Sequence, residues 1–193
     1  MNQGELSYRG EHEAPTRDDG APMHDLTGTY PEDFYGPDGV RYYGDGSSSG
    51  AASVQVVQGA RGRPRKPIKV YRAVPYVPTR NERICDIEKQ KAYMLRYGRY
   101  PPEAPVVWHG KPSAYYDVLW AELEQLRQAP DVPVPAFGIN VGDWVTINRA
   151  YAKEHGEACL RGQYRILSKT VPAGHLYTDG NSIYEWGYDP TQG

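Results

Sequence analysis

The sequence has few cysteines, histidines and phenylalanines and no long apolar run. It contains two cysteines, five histidines and two phenylalanines among 193 residues. The two cysteines, Cys85 and Cys159, and the five histidines do not occur at the spacing of metal ligands. We therefore expect no metal site and no disulfide framework. No segment is apolar enough for a membrane span, and the N-terminus has no signal-peptide core. We therefore expect a reduced, soluble, cytoplasmic protein that does not associate with membranes.

Charge is nearly balanced over the chain but unevenly distributed. The formal net charge of −2 argues against a chain that binds polyanions over its whole surface. Residues 1–46 contain ten acidic and three basic side chains, whereas residues 61–72 contain six basic ones and no acidic one. A nucleic-acid contact, if the protein makes one, is therefore expected from the second of these segments.

Tyrosine is abundant, with 17 residues against two phenylalanines. Its polar tip suits clefts and wet interfaces, although tyrosine can also complete a small core in place of phenylalanine. The turn-rich segment 1–46 is too rich in aromatic residues for a disordered tail, since it contains Tyr30, Phe34, Tyr35, Tyr42 and Tyr43. We predict that this irregular segment packs on the core of a domain formed by residues 47–193.

Hydrophobic periodicity and capping residues predict an α+β fold with a mainly antiparallel or split sheet. Helices are expected where apolar residues recur at three- and four-residue spacing, and strands where they alternate. The predicted helices are Ser47–Ala60 with a serine cap, Asn81–Tyr97, Ser113–Gln128 with Ser113 as cap, and Arg149–His155 with Asn148 as cap and Gly156 at its end. The predicted strands are Ile68–Val74, residues 139–147, residues 163–171 and Ile183–Glu185.

Three polar residues interrupt apolar strand segments. Arg72 follows Val70-Tyr71, Thr146 follows Trp144-Val145, and Glu185 follows Ile183-Tyr184. A buried charge is costly unless it is paired or used. Arg72 and Glu185 could pair inside the fold, or the three side chains could form a site.

The order of the surrounding motifs resembles the ADP-ribosyltransferase superfamily, in its Arg–Ser/Thr–Glu branch. The run "VYRAVP" resembles the strand with the arginine, "GDWVTINRAYAKEHG" the strand with a hydroxyl and its following helix, and "SIYEWGY" the strand with the glutamate. The passage "YRILSKTVPAGHLY" is also similar to a strand of the family. More narrowly, residues 68–193 resemble transferase-like domains of phage and mobile-element proteins, with a helical insertion at about 79–138.

The resemblance implies a fold, a reaction and a set of roles. The fold would be a split antiparallel sheet, and NAD would be the co-substrate from which ADP-ribose passes to a protein or nucleic-acid acceptor. Glu185 would be catalytic, since a carboxylate on the ribose 2′-hydroxyl stabilises an oxocarbenium-like sugar. Arg72 would bind the pyrophosphate or a ribose hydroxyl, and Thr146 would bind the ribose or orient Glu185. The residues expected to form aromatic walls around nicotinamide are Tyr71, Trp144 and Tyr151.

The sequence departs from the family pattern in two places. Val145-Thr146-Ile147 stands where a Ser-Thr-Ser-like triplet is common, and Ile183 stands where family members that modify arginine have glutamate. The resemblance therefore argues against arginine as acceptor and leaves NAD hydrolysis or an inactive variant open. Arg9 in "SYRG" is an alternative cofactor arginine. The resemblance to phage proteins implies a role in phage–host conflict, in the host cytoplasm.

Residues 61–66, "RGRPRK", resemble an AT-hook, a basic arm that enters A·T-rich minor grooves. This pattern makes Arg61, Arg63 and Arg65 candidate nucleic-acid contacts. The alternative is a solvated basic loop that leads into the strand at Ile68. The second function open to the chain is therefore a non-catalytic DNA- or protein-binding module, which uses this loop and the tyrosine-rich surface.

Overall fold

A computed structural model describes residues 13–102, 104, 111–130 and 137–190. The fold is α+β, as predicted, with six strands in one antiparallel sheet and five α-helices among the described residues. The described residues within Met1–Tyr76 and Pro135–Gly193 form one compact unit, and those within Val77–Val134 form a second. None of the described helices is long and apolar enough to cross a membrane.

The four predicted helices and four predicted strands are present in the predicted order with shifted ends, and two short strands and one short helix that were not predicted are added to them. In chain order they are β1 (Ala21–Pro22), α1 (Gly39–Tyr43), α2 (Ser48–Gln58), β2 (Pro67–Pro75), α3 (Arg80–Tyr97), α4 (Pro112–Gln128), β3 (Asp143–Thr146), α5 (Arg149–Cys159), β4 (Tyr164–Pro172), β5 (Leu176–Thr178) and β6 (Glu185–Tyr188). Short 3-10 turns lie at Glu32–Tyr35 and Ala173–His175. The last strand was predicted to end at Glu185, but it begins there, because Ile183 and Tyr184 precede the pairing with β3.

The strands are hydrogen-bonded in the order β1-β5-β6-β3-β2-β4, and all neighbours are antiparallel. The pairing of β2 with β4 covers nine residues, whereas β2 and β3 share the single Cα pair Tyr71↔Thr146. The sheet is therefore continuous and antiparallel, in agreement with the mainly antiparallel sheet that was predicted, and it narrows to one paired row between β2 and β3. We call this row the seam.

Strand alternation gives the sheet two different faces. On β2 the predicted stripe Ile68, Val70, Arg72 and Val74 is buried, as expected. This side is the core face, where Val145 and Trp186 join the main hydrophobic cluster. The opposite side is the α5 face, because α5 packs on β2 there.

Residues before α2 complete the core on the core face. Met23, Leu26 and Phe34 are fully buried in the main cluster. The ring of Phe34 lies 4.9–5.1 Å from the rings of Tyr30, Tyr35 and Tyr43. Tyr42 differs from these aromatic residues, since 67% of it is exposed.

Helix ends show where capping signals were correct and where they failed. Ser47 caps α2 by accepting from the Gly50 amide at 2.9 Å, as predicted. Ser113 does not cap α4, since Pro112 already occupies the first helical turn. Gly156 does not end α5 either, because the helix continues to Cys159. A side chain at Gly156 would overlap the ring of Tyr164, so this glycine permits close packing on β4.

The second unit is an antiparallel helical hairpin. Arg80 at the start of α3 donates to the carbonyl of Leu126 near the end of α4, and Tyr115 donates to Gln90 at 2.9 Å. The buried stripe of α4 contains Tyr115, Leu119 and Leu123, which face Ile87 and Met94. Trp120 also fits the three- and four-residue spacing of apolar residues that predicts this helix, but it is 49% exposed because it lies about 100° around the helix from Leu119.

Candidate functional site

Three of the predicted site residues meet in one row across the seam. Thr146 pairs with Tyr71 of β2 on one side and with Glu185 of β6 on the other. Directly opposed residues of antiparallel strands project to the same face, so all three side chains lie on the α5 face. Thr146 is buried, whereas Tyr71 and Glu185 remain partly accessible. A ligand that reached this row would therefore meet a phenol and a carboxylate.

Helix α5 adds a direct partner for the carboxylate. The Asn148 side chain accepts from the amides of Ala150 and Tyr151 and so begins α5 directly after β3. This start brings Tyr151, in the first turn, over β6. The hydroxyl of Tyr151 donates a 2.7 Å hydrogen bond to Oε1 of Glu185.

The position of Tyr151 is fixed by its ring as well as by its hydroxyl. Its ring stacks on that of Tyr184, with the centroids 5.4 Å apart and the planes 19° from parallel. Burial, and next the hydrogen bond to Glu185, raise the pKa of Tyr151 well above its ordinary value. Tyr151 therefore stays protonated at neutral pH and acts as a donor to the carboxylate, not as a base.

The hydroxyl of Thr146 is engaged locally. It accepts from the Asn148 amide at 3.0 Å, which ties the end of β3 to the cap of α5. Orientation of Glu185 was one of the two roles predicted for Thr146. The structure shows that Tyr151 holds the carboxylate, while Thr146 holds the turn from which Tyr151 projects.

Arg72 lies away from this row. Its guanidinium forms an ion pair with Asp143, and the two residues are 7% and 0% exposed. Arg72 follows Tyr71, and Asp143 lies three residues before Thr146, so alternation places both on the core face. Asp143 also accepts from the Asn140 amide at 2.8 Å. The pair connects β2 and β3 at the point where the sheet is narrowest.

The predicted meeting of three side chains is thus only partly observed. Thr146 and Glu185 come together, and Arg72 does not join them. The alternative in which Arg72 pairs with Glu185 is also wrong, because the carboxylate beside Arg72 belongs to Asp143. Contact between Arg72 and a cofactor stays a prediction, and it requires the guanidinium to leave Asp143.

The remaining predicted aromatic residue, Trp144, lies on the α5 face opposite Gly187. It is partly exposed. A Cβ at Gly187 would overlap the backbone carbonyl of Pro15, so the N-terminal segment crosses β6 two residues beyond Glu185. Residues 14–16 therefore border the row at one end.

The basic turn, residues 61–66, is folded against its own unit. The Gly62 amide donates to the His24 carbonyl at 2.8 Å, and the Pro64 carbonyl accepts from Gly174 at 2.8 Å. Arg61 forms two hydrogen bonds to Glu32, at 2.7 and 2.8 Å, and its guanidinium lies 4.1 Å from the ring centroid of Tyr35. The segment is therefore an ordered turn that leads into β2, not the free extended arm that an AT-hook needs.

Arg63 and Arg65 are exposed like Arg61. Binding of nucleic acid by Arg61, Arg63 and Arg65 stays a prediction. The alternative cofactor arginine, Arg9, lies outside the described residues.

Two residues of the site escaped the sequence analysis. Asp143 lay within the predicted strand 139–147 and was not identified as a partner of Arg72, although an acidic residue beside apolar strand residues was the available signal. Tyr184 was noted as a neighbour of Glu185 and not as the ring beneath Tyr151. Burial, together with the nearby Asp45 carboxylate, raises the pKa of Tyr184.

Metal chemistry and known relatives give no further guide to this site. In the ranges that the structure describes, no group of three or more His, Cys, Asp or Glu side chains is placed to hold a metal ion. No family model, no curated protein and no solved structure matches this chain. Any functional assignment therefore depends on the motif resemblance and on the geometry of the Tyr71–Thr146–Glu185 row.

Proposed function

We propose that this protein transfers ADP-ribose from NAD to a macromolecular acceptor, with Glu185 as the catalytic carboxylate. The observation on which the proposal depends is the row Tyr71–Thr146–Glu185, with the Tyr151 hydroxyl bonded to the carboxylate. The three strands that resemble the family motifs, β2, β3 and β6, are also direct neighbours in the sheet. This adjacency supports an ADP-ribosyltransferase-like fold as part of the proposal.

The chemistry needs a carboxylate that is held in place and remains able to accept a hydroxyl. When the bond between nicotinamide and ribose breaks, nicotinamide leaves with the electron pair and positive charge develops on the sugar. Tyr151 engages Oε1 of Glu185 and leaves Oε2 to accept the ribose 2′-hydroxyl, which stabilises that charge. The acceptor then bonds to the anomeric carbon and releases a proton. With water as acceptor, the same steps hydrolyse NAD.

The other residues of the site have supporting roles in this proposal. Tyr71 and Trp144 are partly exposed on the same face as Glu185 and provide aromatic surface for the nicotinamide ring. Arg72 acts indirectly, because its ion pair with Asp143 holds β2 against β3 and so keeps Tyr71 beside Thr146. Ile183 offers no carboxylate near Glu185 to activate a guanidinium, so we propose an acceptor other than arginine. The biological setting in this proposal is phage–host conflict in the host cytoplasm.

The experiment that tests the proposal is nicotinamide release from NAD by the purified protein, alone, with cell lysate and with DNA. The variant is Glu185→Gln, and the matched control is Glu154→Gln, an exposed glutamate of α5. Release that Glu185→Gln abolishes and Glu154→Gln retains would support the reaction, and labelled NAD would identify the acceptor class. If the folded wild-type protein releases no nicotinamide under any of these conditions, the enzyme proposal fails and the binding-module alternative takes its place.

A further inference from the structure

The C-terminal half of α3 presents cations and tyrosines on one side. This side begins at Lys89 and continues, at steps of four, three and one residues, with Tyr93, Arg96 and Tyr97. On an α-helix these steps place the four side chains within an arc about 100° wide around the axis. The helix ends at Gly98, in the left-handed conformation with φ 63°, and Arg99 follows directly. We call Lys89, Tyr93, Arg96, Tyr97 and Arg99 the α3 stripe.

The cations of the α3 stripe are not neutralised by their own unit. Four carboxylates of the hairpin bind other arginines: Asp86 and Glu122 contact Arg83, and Glu88 and Glu124 contact Arg127. Within the described part of the chain, no ion pair involves Lys89, Arg96 or Arg99. Residues 89–102 contain four basic side chains and no acidic one. The fourth, Lys91, is buried over the Trp120 ring and does not belong to the stripe.

The tyrosine rings of the stripe contact these cations and each other, and they do not belong to the hydrophobic core of the hairpin. The rings of Tyr93 and Tyr97 lie 4.6 Å apart, and Tyr97 is 49% exposed. The Arg99 guanidinium lies 5.9 and 5.8 Å from the two ring centroids, and Arg96 lies 5.3 Å from Tyr97. By contrast, Tyr115 in the same unit is buried and bonded to Gln90. The hairpin therefore does not need the rings of the stripe for its own packing.

A simpler explanation accounts for one part of the stripe. Arg96 lies in the last turn of α3, where a cation complements the negative end of the helix dipole. That effect does not require Lys89 two turns earlier, and it does not require the half-buried ring of Tyr93 and the exposed ring of Tyr97 between the cations. The combination indicates a ligand with both negative charge and flat aromatic groups.

We propose that the α3 stripe binds single-stranded nucleic acid. Lys89, Arg96 and Arg99 would contact phosphates, and the rings of Tyr93 and Tyr97 would stack on bases. A duplex would use the cations but not the rings, because its base faces are already stacked. An acidic peptide would likewise leave the rings unused. The inference does not depend on the proposed function, since binding is measured without NAD.

The test is fluorescence anisotropy with a labelled oligothymidylate of about 12 nucleotides, within the span that such surfaces occupy. We expect Tyr97→Leu to weaken binding roughly tenfold, because it removes a stacking surface and keeps apolar volume. Arg96→Gln with Arg99→Gln should weaken binding and lower the slope of log K against log salt by about 1.4, or 0.7 per phosphate contact. The matched control is Lys153→Gln with Arg165→Gln, two exposed cations to which no role is assigned, and it should bind as wild type. A separate variant, Arg63→Gln with Arg65→Gln in the basic turn, tests the competing contact.

Four results would overturn the proposal. The first is no binding at low salt by the wild-type protein, with circular dichroism showing that it is folded. The second is wild-type affinity for Tyr97→Leu, which would mean that charge alone holds the strand. The third is loss of binding in the basic-turn variant while the α3 variants keep wild-type affinity, which would assign the contact to residues 61–66. The fourth is equal competition by polyglutamate, which would make the surface an acidic-peptide site.

Discussion

The Tyr151 hydroxyl donates a 2.7 Å hydrogen bond to Oε1 of Glu185 and thereby joins the first turn of α5 to the first residue of β6. The two residues are 34 positions apart in the chain. Asn148 and Thr146 set the start of the helix, and the sheet register sets the carboxylate. The position of the Glu185 carboxylate and its contact with Tyr151 therefore depend on a helix cap as well as on strand pairing.

Removal of this hydrogen bond should slow the proposed reaction without unfolding the site. In Tyr151→Phe the ring still stacks on Tyr184, but the carboxylate loses its donor. A hydrogen bond to a charged group is worth about 1.5–3 kcal/mol, so we expect kcat for nicotinamide release to fall roughly ten- to a hundredfold. KM for NAD should change little, because Tyr151 acts on Glu185 and not on the substrate.

The control for this prediction is Tyr184→Phe, which keeps both rings and the hydrogen bond to Glu185. It should retain wild-type kcat. If Tyr151→Phe also keeps wild-type kcat while Glu185→Gln is inactive, the contact has only a structural role.

The buried pair Arg72–Asp143 should be costly to break from one side. Asp143→Leu leaves the Arg72 guanidinium in the core without its carboxylate, and we expect a loss of about 3–5 kcal/mol in the free energy of unfolding. The double variant Arg72→Met with Asp143→Leu removes both charges and should recover most of that loss. Urea unfolding followed by circular dichroism measures both.

The exposed pair Arg61–Glu32 provides the comparison. Glu32→Ala should leave the urea midpoint unchanged, because a solvent-exposed ion pair contributes little. If Asp143→Leu is no more destabilising than Glu32→Ala, the pair at the seam does not hold β2 against β3.

The contact between Gly187 and Pro15 predicts a stability effect close to the site. In Gly187→Ala the new methyl group overlaps the Pro15 carbonyl, so the N-terminal segment must shift from β6. We expect a loss of about 1–3 kcal/mol, as for overpacked sites. Gly28→Ala is the matched control, since its new methyl group would have no neighbouring atom within 4 Å. Equal urea midpoints for the two variants would contradict the contact.

Stability should fall at alkaline pH because several buried tyrosines resist ionisation. Burial is the main cause that raises the pKa of Tyr30, Tyr115, Tyr151 and Tyr177. In the unfolded chain these phenols lose their protons near pH 10. A raised folded-state pKa contributes stability that is complete below that pH and is lost as pH rises above it.

The measurement is the free energy of unfolding in urea between neutral pH and the alkaline range, with tyrosinate absorbance as a second probe. The decline above about pH 10 should be less steep in Tyr151→Phe than in wild type. A wild-type curve that stays flat through the tyrosine range would show that these side chains ionise equally in both states.

Short-range signals predicted most of the elements. Ser47 and Asn148 were correct as helix caps, and alternation correctly identified the buried side of β2. The failures were also local in origin. Ser113 resembles a helix cap, but α4 begins one residue earlier because Pro112 suits the first turn of a helix. Gly156 resembles a helix end, but it is a glycine because α5 packs closely on Tyr164 at this position.

The candidate site was predictable residue by residue but not as an arrangement. Sequence reasoning identified Thr146 and Glu185 as polar residues in apolar strands, and the structure places them side by side. It identified Arg72 by the same signal, yet Arg72 faces the other side of the sheet and pairs with Asp143. Alternation within β2 shows which side Arg72 occupies relative to Tyr71, but not which side of the sheet holds the carboxylates.

Local patterning thus accounts for the α+β class, the caps of α2 and α5 and the buried side of β2, because these depend on residues a few positions apart. Strand order and register account for the rest. Thr146 meets Glu185, Tyr151 reaches its carboxylate, and Arg72 meets Asp143 only because β6, β3 and β2 pair as they do. A shift of one residue in the register of one strand would turn the side chains of that strand to the other face, and no short stretch of the chain contains that information.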